Sequence, residues 1–305
     1  MTNTNENLTK AFVGERNGDH AERRPEKLYL DLIKKTLSFA LWPEPPIPIT
    51  AFNSLRSLIK RFPVSLVARI LKYKKLYLVQ ERSIPTDQRG AGRIWPAYAD
   101  TMIGLKRLDN IQFCLETVIR EGVKGDLIET GVWRGGACIL MRAVLAAYGI
   151  EDRKVFVADS FEGLPKPDPK RFPVDQGDRH HMASYLAVSQ EDVENNFKKY
   201  NLLDDKVVFL KGWFKDTLPK APIEKLAILR LDGDMYGSTW DALSNLYPRL
   251  SEGGFCIIDD YGLEGCKRAV DDYRAQHMIN TVIKKADLTG CIYWRKEKKT
   301  LSFPK

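Results

Sequence analysis

The sequence predicts an α/β fold: a mostly parallel seven-stranded sheet with helices on both faces, preceded by a helical extension at the N-terminus. Three observations carry that reading. The runs at 226–231 (Leu-Ala-Ile-Leu-Arg-Leu) and 254–258 (Gly-Phe-Cys-Ile-Ile) are short, apolar and closed by turn residues, which suits strands buried on both faces. Between them, residues 238–250 space Trp240, Leu243, Leu246, Tyr247 and Leu250 as one face of a helix. Such a β-α-β crossover leaves both strands parallel, with their carboxyl ends on the edge where α/β proteins bind ligands. Each strand delivers a pair of carboxylates there, Asp232 and Asp234 from the first and Asp259 and Asp260 from the second.

In chain order, residues 1–25 are polar and charged and read as loose chain. Residues 27–41 carry a helical spacing (Leu28, Leu32, Ile33, Leu37) that the proline-rich run at 42–48 stops. Residues 54–80 form a basic amphipathic segment with a break at Pro63. A packed or dimerising arm is the plain reading of it; an anionic membrane surface and a lid over a site are the competing ones. Residues 81–100 are loop-rich, and Leu108, Ile111, Leu115, Val118 and Ile119 mark a helix over 105–121. Regular alternation then begins: strand 126–130, a glycine turn and helix to about 148, strand 155–158, helix 190–200 and strand 207–211. Helix 265–277 and two strands near 281–284 and 291–296 close the chain. Residues 168–189 are a polar, proline-containing excursion, long enough to be a functional loop. The division expected is an arm or lid region over 1–95 and a catalytic domain over 96–305.

Composition is that of a globular protein, 44% hydrophobic and 29% charged, with net charge +8. The excess is local: residues 1–100 hold 17 Lys/Arg against 10 Asp/Glu, and the remaining 205 hold 31 against 30. The α/β part is nearly neutral and does not interleave basic with aromatic residues, so a nucleic-acid partner is not expected. The five cysteines (Cys114, Cys138, Cys256, Cys266, Cys291) are odd in number and lack CxxC spacing, and read as reduced structural thiols of a cytoplasmic protein. No signal peptide is visible, and no run approaches the roughly 18 apolar residues of a membrane span.

The strand-tip aspartates point to chemistry. Three carboxylates within about 4 Å repel by about 4 kcal/mol per pair at an effective dielectric of 20. The sum approaches the stability of a whole domain, so protonation or a bound cation has to relieve it. An all-oxygen donor set favours Mg²⁺, Mn²⁺ or Ca²⁺ over zinc. Upstream, Glu129-Thr-Gly-Val-Trp-Arg-Gly-Gly136 turns the first strand into a helix, and such a turn lets backbone approach a ligand closely. Its spacing is GxxxGG, not the GxGxxG of dinucleotide binders. Asp159, at the tip of the next strand, is placed to accept the two hydroxyls of a ribose.

Four ordered motifs carry a family resemblance: the run 126–138 containing Glu-Thr-Gly-Val-Trp-Arg-Gly-Gly, Ala158-Asp-Ser-Phe-Glu-Gly-Leu-Pro, Leu231-Asp-Gly-Asp-Met-Tyr and Ile258-Asp-Asp-Tyr-Gly, with Trp213-Phe in the run Lys-Gly-Trp-Phe-Lys-Asp-Thr-Leu-Pro. Over about residues 95–296 the chain resembles the macrocin O-methyltransferases, which include mycinamicin and novobiocin sugar O-methyltransferases. The resemblance implies a class I methyltransferase-like Rossmann sandwich using S-adenosylmethionine and Mg²⁺ on a glycoside substrate. By position it implies that Glu129, Gly131 and Gly135 line the methionine end of the donor. It places Asp159 on the ribose, Ser160, Gly212 and Trp213 near the adenine, and Thr101 and Met102 in a lid. Asp232, Asp259 and Asp260 would hold the metal and Asp234 would be the general base. Some relatives carry a histidine just after the aspartate pair; here Tyr261 and Gly262 stand instead. Two other readings compete: a metal-dependent glycosyltransferase using Asp232-Gly-Asp234 as a DxD motif, and a non-catalytic scaffold acting through the basic arm. A homo-oligomer is expected from that arm.

Overall fold

The computed structural model describes residues 24–48, 62–81, 86–94 and 97–297. The loose segment expected at the N-terminus lies, up to residue 23, outside the described residues, as does the 54–61 stretch of the basic segment.

The predicted strands form one sheet: β1 (Asp126–Thr130), β2 (Val155–Asp159), β3 (Val207–Lys211), β4 (Leu226–Leu231), β5 (Leu250–Ile258), β6 (Lys284–Lys285) and β7 (Ile292–Arg295). Their spatial order is β3-β2-β1-β4-β5-β7-β6. The first five are parallel, and β7 runs antiparallel to both of its neighbours. Successive residues of a strand point to opposite faces, and the two halves of the core follow that alternation. Leu127, Val155, Val157 and Ile257 face one side, where they pack with α1 (Pro25–Leu37), α3 (Leu105–Arg120), α4 (Gly136–Ala147) and α5 (Gln190–Lys199). Ile128, Phe156, Leu229 and Cys256 face the other, against α6 (Tyr236–Leu246) and α7 (Glu264–Gln276). A further helix, α2 (Phe62–Tyr73), precedes α3 in the chain and leaves Val64, Leu66, Val67 and Ile70 exposed.

The end of the crossover helix differs from the sequence reading. The helix expected to reach residue 250 ends at Leu246, and a 3₁₀ turn, Tyr247–Arg249, leads into a nine-residue β5. Pro248 cannot supply the backbone donor that another helical turn needs. Tyr247 and Leu250 are buried all the same, so their apolar spacing reported the core rather than the helix. At the opposite end, the strand near 281–284 shrinks to Lys284–Lys285, paired only with β7.

The N-terminal part is fastened to the sheet domain. Leu30, Ile33 and Leu37 of α1 are buried in the same cluster as α4. The Asp100 N–H donates to Leu37 O (2.9 Å). Arg89, 6% exposed, donates to the Phe39 and Trp42 carbonyls and to Glu44, whose other oxygen accepts the Ala97 N–H (2.7 Å). These contacts set residues 92–93 and 101–103 beside the carboxyl edge of the sheet. All five cysteines are buried and free. Among the described residues no helix is long and apolar enough to cross a membrane.

Candidate active site

The tips of β1, β2, β4 and β5 are tied edge to edge. The Gly131 N–H donates to Ala158 O, Asp232 to Thr130 O and Asp259 to Leu231 O, each at 2.9 Å. The ladder thus continues one residue past each strand and fixes where the acidic side chains emerge. Gly131 is required there: a Cβ on it would fall 1.7 Å from the Asp232 carbonyl oxygen. Above this edge lies a cavity of about 800 Å³, ample for a nucleoside and a second small molecule. Thr101, Met102, Glu129, Gly131, Asp159, Ser160, Gly212, Trp213, Asp232, Asp234, Asp259 and Asp260 all line it. Gly135 is absent from that wall: it precedes α4 in the left-handed region, and a Cβ would strike Val193 on α5 at 2.8 Å. Packing of α5 against the turn is thus a sufficient structural reason for glycine at that point.

At one end of the cavity the acid is held by backbone. Asp159 Oδ2 accepts the Val132 N–H and Oδ1 the Phe161 N–H, both at 2.7 Å. Burial pushes its carboxyl up, and these bonds oppose the shift. The Ser160 hydroxyl also approaches Oδ1 (3.4 Å), and the Trp133 backbone adds to the bonds that hold the carboxylate in place. Gly212 donates to the Asp159 carbonyl (2.9 Å), which brings Trp213 alongside. Ser160 is partly committed to its own turn, donating to Gly163 O (2.6 Å).

At the other end four aspartates crowd together. Asp232, Asp259 and Asp260 each offer an oxygen, and these atoms lie within 4.8 Å of one another. Burial, then Asp232, Asp234 and Asp259, push the Asp260 carboxyl well above its ordinary range. Burial, then Asp232, raise Asp234 to about 7, with His180 pulling the other way. Asp234 adopts a left-handed backbone (φ 56°), held by its N–H bond to Asp260 Oδ2 (3.0 Å). A non-glycine residue in that conformation costs about 1–3 kcal/mol, the kind of strain kept at working sites.

The expectation that only protonation or a cation could relieve these charges is corrected by two arginines. Arg230, 1% exposed, donates to Glu129, Asp232 and Asp259. Arg107, from the first turn of α3, holds the other oxygen of Asp259 and donates to Asp287 (2.6 Å) and Thr289 (2.6 Å). Burial still leaves the Glu129 carboxyl at about 7, Arg230 lowering it and Asp232 raising it. Asp260 has no basic partner among the described residues. A lone cation in an apolar strand, two residues before Asp232 and so on the same side of it, was the available signal for Arg230. Arg107 had none, since it reaches Asp259 across 152 residues of chain.

The 168–189 excursion forms a roof. Asp175, 4% exposed, accepts the Tyr236 (2.8 Å) and Gly237 (2.9 Å) N–H groups and so caps α6, whose own N-cap residue offers no side-chain bond. Arg171 pairs with Asp241 (2.6 Å), and the Trp133 indole donates to Tyr185 O (2.9 Å). His180, its Nδ1 2.7 Å from Asp178 Oδ2, and Tyr185 enter the cavity wall, as do Gly92 and Arg93 from the other loop.

A sheet of this order, with a glycine turn after β1, an acid at the tip of β2 and a carboxylate cluster beyond β4 and β5, defines a Rossmann-like α/β methyltransferase, a class that uses S-adenosylmethionine. The chain belongs to the macrocin-O-methyltransferase (TylF) family, which it matches over residues 26–296, and it is an O-methyltransferase. The match takes in α1, which the sequence motifs do not reach. The chain is 49% identical over 269 residues to the 8-demethyl-8-(2,3-dimethoxy-alpha-L-rhamnosyl)-tetracenomycin-C 4'-O-methyltransferase of Streptomyces olivaceus, covering 88% of this chain and 92% of that one. It is 51% identical over 222 residues to the mycinamicin III 3''-O-methyltransferase of Micromonospora griseorubida, covering 72% and 87%. The solved structure of the O-methyltransferase NovP superposes with TM-score 0.72 at 44% identity, over 90% of this chain and all of that one. CalS11, a calicheamicin methyltransferase, shares the fold at TM-score 0.52 and 16% identity. Membership of this family sets aside the glycosyltransferase and scaffold readings.

Proposed function

We propose that the chain methylates a sugar hydroxyl of a glycosylated natural product, with S-adenosylmethionine as donor, Mg²⁺ (or Mn²⁺) as cofactor and Asp234 as general base. One observation carries the reading. A single cavity joins a nucleoside-type end at Asp159 to a cluster in which Asp232, Asp259 and Asp260 offer oxygens within 4.8 Å of one another. The printed activities of the tetracenomycin and mycinamicin relatives support a sugar acceptor.

The residues fit a hard divalent cation. The donors are all carboxylate oxygen, and Asp260 carries the uncompensated charge that such an ion neutralises. When bound, the ion supplies electrostatic stabilisation of negative charge developing on a hydroxyl oxygen. Asp234, on the cavity wall beside the cluster with its backbone N–H bonded to Asp260, stands where it can accept that hydroxyl's proton. Glu129 lines the cavity to receive the donor's ammonium, and Asp159 presents its carboxylate to the ribose. The docked 168–189 loop excludes water and orients the acceptor, which leaves positioning to supply much of the acceleration.

The test is incubation with labelled methyl donor and a panel of macrolide, aminocoumarin and anthracycline-type glycosides. Label should enter a sugar methoxyl, stop with EDTA and return with Mg²⁺. Transfer that persists in metal-free enzyme would remove the metal role, and label on the aglycone alone would remove the sugar.

A further inference from the structure

Arg230 lies between the two ends of the cavity. It stands directly opposite Glu129 in the β1–β4 register and two residues before Asp232. Its Nη1 is shared between Glu129 Oε1 and Asp232 Oδ2 (2.8 Å), and its Nη2 reaches Asp259 Oδ1. Three neighbouring strands thus contribute a carboxylate each to one fully buried guanidinium. Glu129 belongs to the donor end of the cavity, and Asp232 and Asp259 belong to the metal end.

We propose that Arg230 is a positioning residue that acts as a shared counter-cation, so that the methyl donor and the divalent ion each weaken the other's binding. The inference rests on the function proposed above. A guanidinium keeps its charge at any pH the protein experiences, so it cannot leave by losing a proton. It can only redistribute among its three partners. A cationic ammonium arriving at Glu129 turns the guanidinium toward Asp232 and Asp259, where it competes with the ion. An ion arriving at Asp232 and Asp259 turns it toward Glu129, where it competes with the ammonium. Linkage makes the two penalties equal. The demethylated product keeps the ammonium, so an occupied metal site favours its departure.

Mn²⁺ binding is measured by electron paramagnetic resonance with and without saturating S-adenosylhomocysteine, and S-adenosylhomocysteine binding by calorimetry with and without Mn²⁺. In the wild type each ligand should weaken the other by about fivefold. In Arg230→Gln the factor should fall below about twofold while both still bind. Glu129→Gln removes the donor-side partner without touching a metal-side carboxylate. With no donor present it should bind Mn²⁺ several-fold more weakly than the wild type, because the guanidinium then falls wholly on Asp232 and Asp259. Loss of the nearby Glu129 charge would by itself weaken Mn²⁺, so Glu129→Gln is repeated in an Arg230→Gln background, where redistribution predicts that most of the loss disappears and simple charge loss predicts that it persists. Independent binding in the wild type, a factor unaltered in Arg230→Gln, or normal Mn²⁺ affinity in Glu129→Gln overturns the inference alone. Should Arg230→Gln fail to fold, Arg230→Lys, whose single ammonium cannot bridge three carboxylates, replaces it in both comparisons. Failure of the wild type to bind S-adenosylhomocysteine or Mn²⁺ at all sinks the proposed function and this inference with it.

Discussion

Asp159 and Asp260 both stand at the carboxyl ends of parallel strands on the same edge of one sheet, yet they live in opposite surroundings. Asp159 has a backbone N–H on each oxygen and no other carboxylate among the causes of its shift. Asp260 meets three other aspartates and no basic side chain among the described residues. The first is a finished receptor for neutral hydroxyls. The second is an electrostatic debt that only a proton or a cation can discharge. Residue type and strand-tip position are shared, so the neighbours supplied by adjacent strands decide which role each takes. Arg230 and Arg107 make the same point from the other side, because they stabilise Asp259 and leave Asp260 uncovered.

The sharpest way to break this contrast is at the crowded end. Asp234→Asn should lower turnover by about 10²–10⁴-fold, the range for losing a general base, while S-adenosylhomocysteine affinity stays within about twofold. Labelled methyl transfer and calorimetry on the same preparation check both halves; near-normal turnover would remove Asp234 as base.

At the quiet end, Asp159→Asn keeps the shape but turns one acceptor oxygen into a donor that faces a backbone N–H. S-adenosylhomocysteine should bind about 10–100-fold more weakly, at about 1–3 kcal/mol for a buried group left mismatched. Mn²⁺ affinity measured without donor should not move. A parallel loss of both would show that the two ends are not separately built.

The smallest effect is on stability. The Asp234 carboxyl stands at about 7 in the folded chain against 3.8 ordinarily, so the fold favours its protonated form. Its contribution is complete below about pH 4 and is lost as pH rises through about 7. Metal-free protein should therefore melt several degrees lower at pH 8 than at pH 6, and Mg²⁺ should raise the melting temperature more at pH 8. Asp234→Asn should reduce the metal-free dependence without abolishing it, because Glu129, also raised to about 7, and Asp260 contribute in the same direction. A melting temperature that rises from pH 6 to pH 8 without metal would contradict the charge reading.

Much of the sheet was legible because strands buried on both faces must be apolar and must end in turn residues. Residues 126–130, 207–211 and 226–231 read directly as β1, β3 and β4. The start of β5 was not legible, because Tyr247 and Leu250 are buried in either a helix or a strand and only Pro248 separates the two. Among site residues, the strand-tip acids announced themselves by position. Asp175, capping α6 from 61 residues away, gave no local sign because its partners are backbone amides of another segment.

The order of apolar runs and turns, with carboxylates at fixed offsets, determined the α/β architecture and which side chains would gather at one edge, since strand pairing and crossover handedness follow from local pattern. Only the tertiary structure decided how those charges are balanced. Electrostatic energy depends on distance and burial, and both are set by packing between segments that the chain keeps far apart.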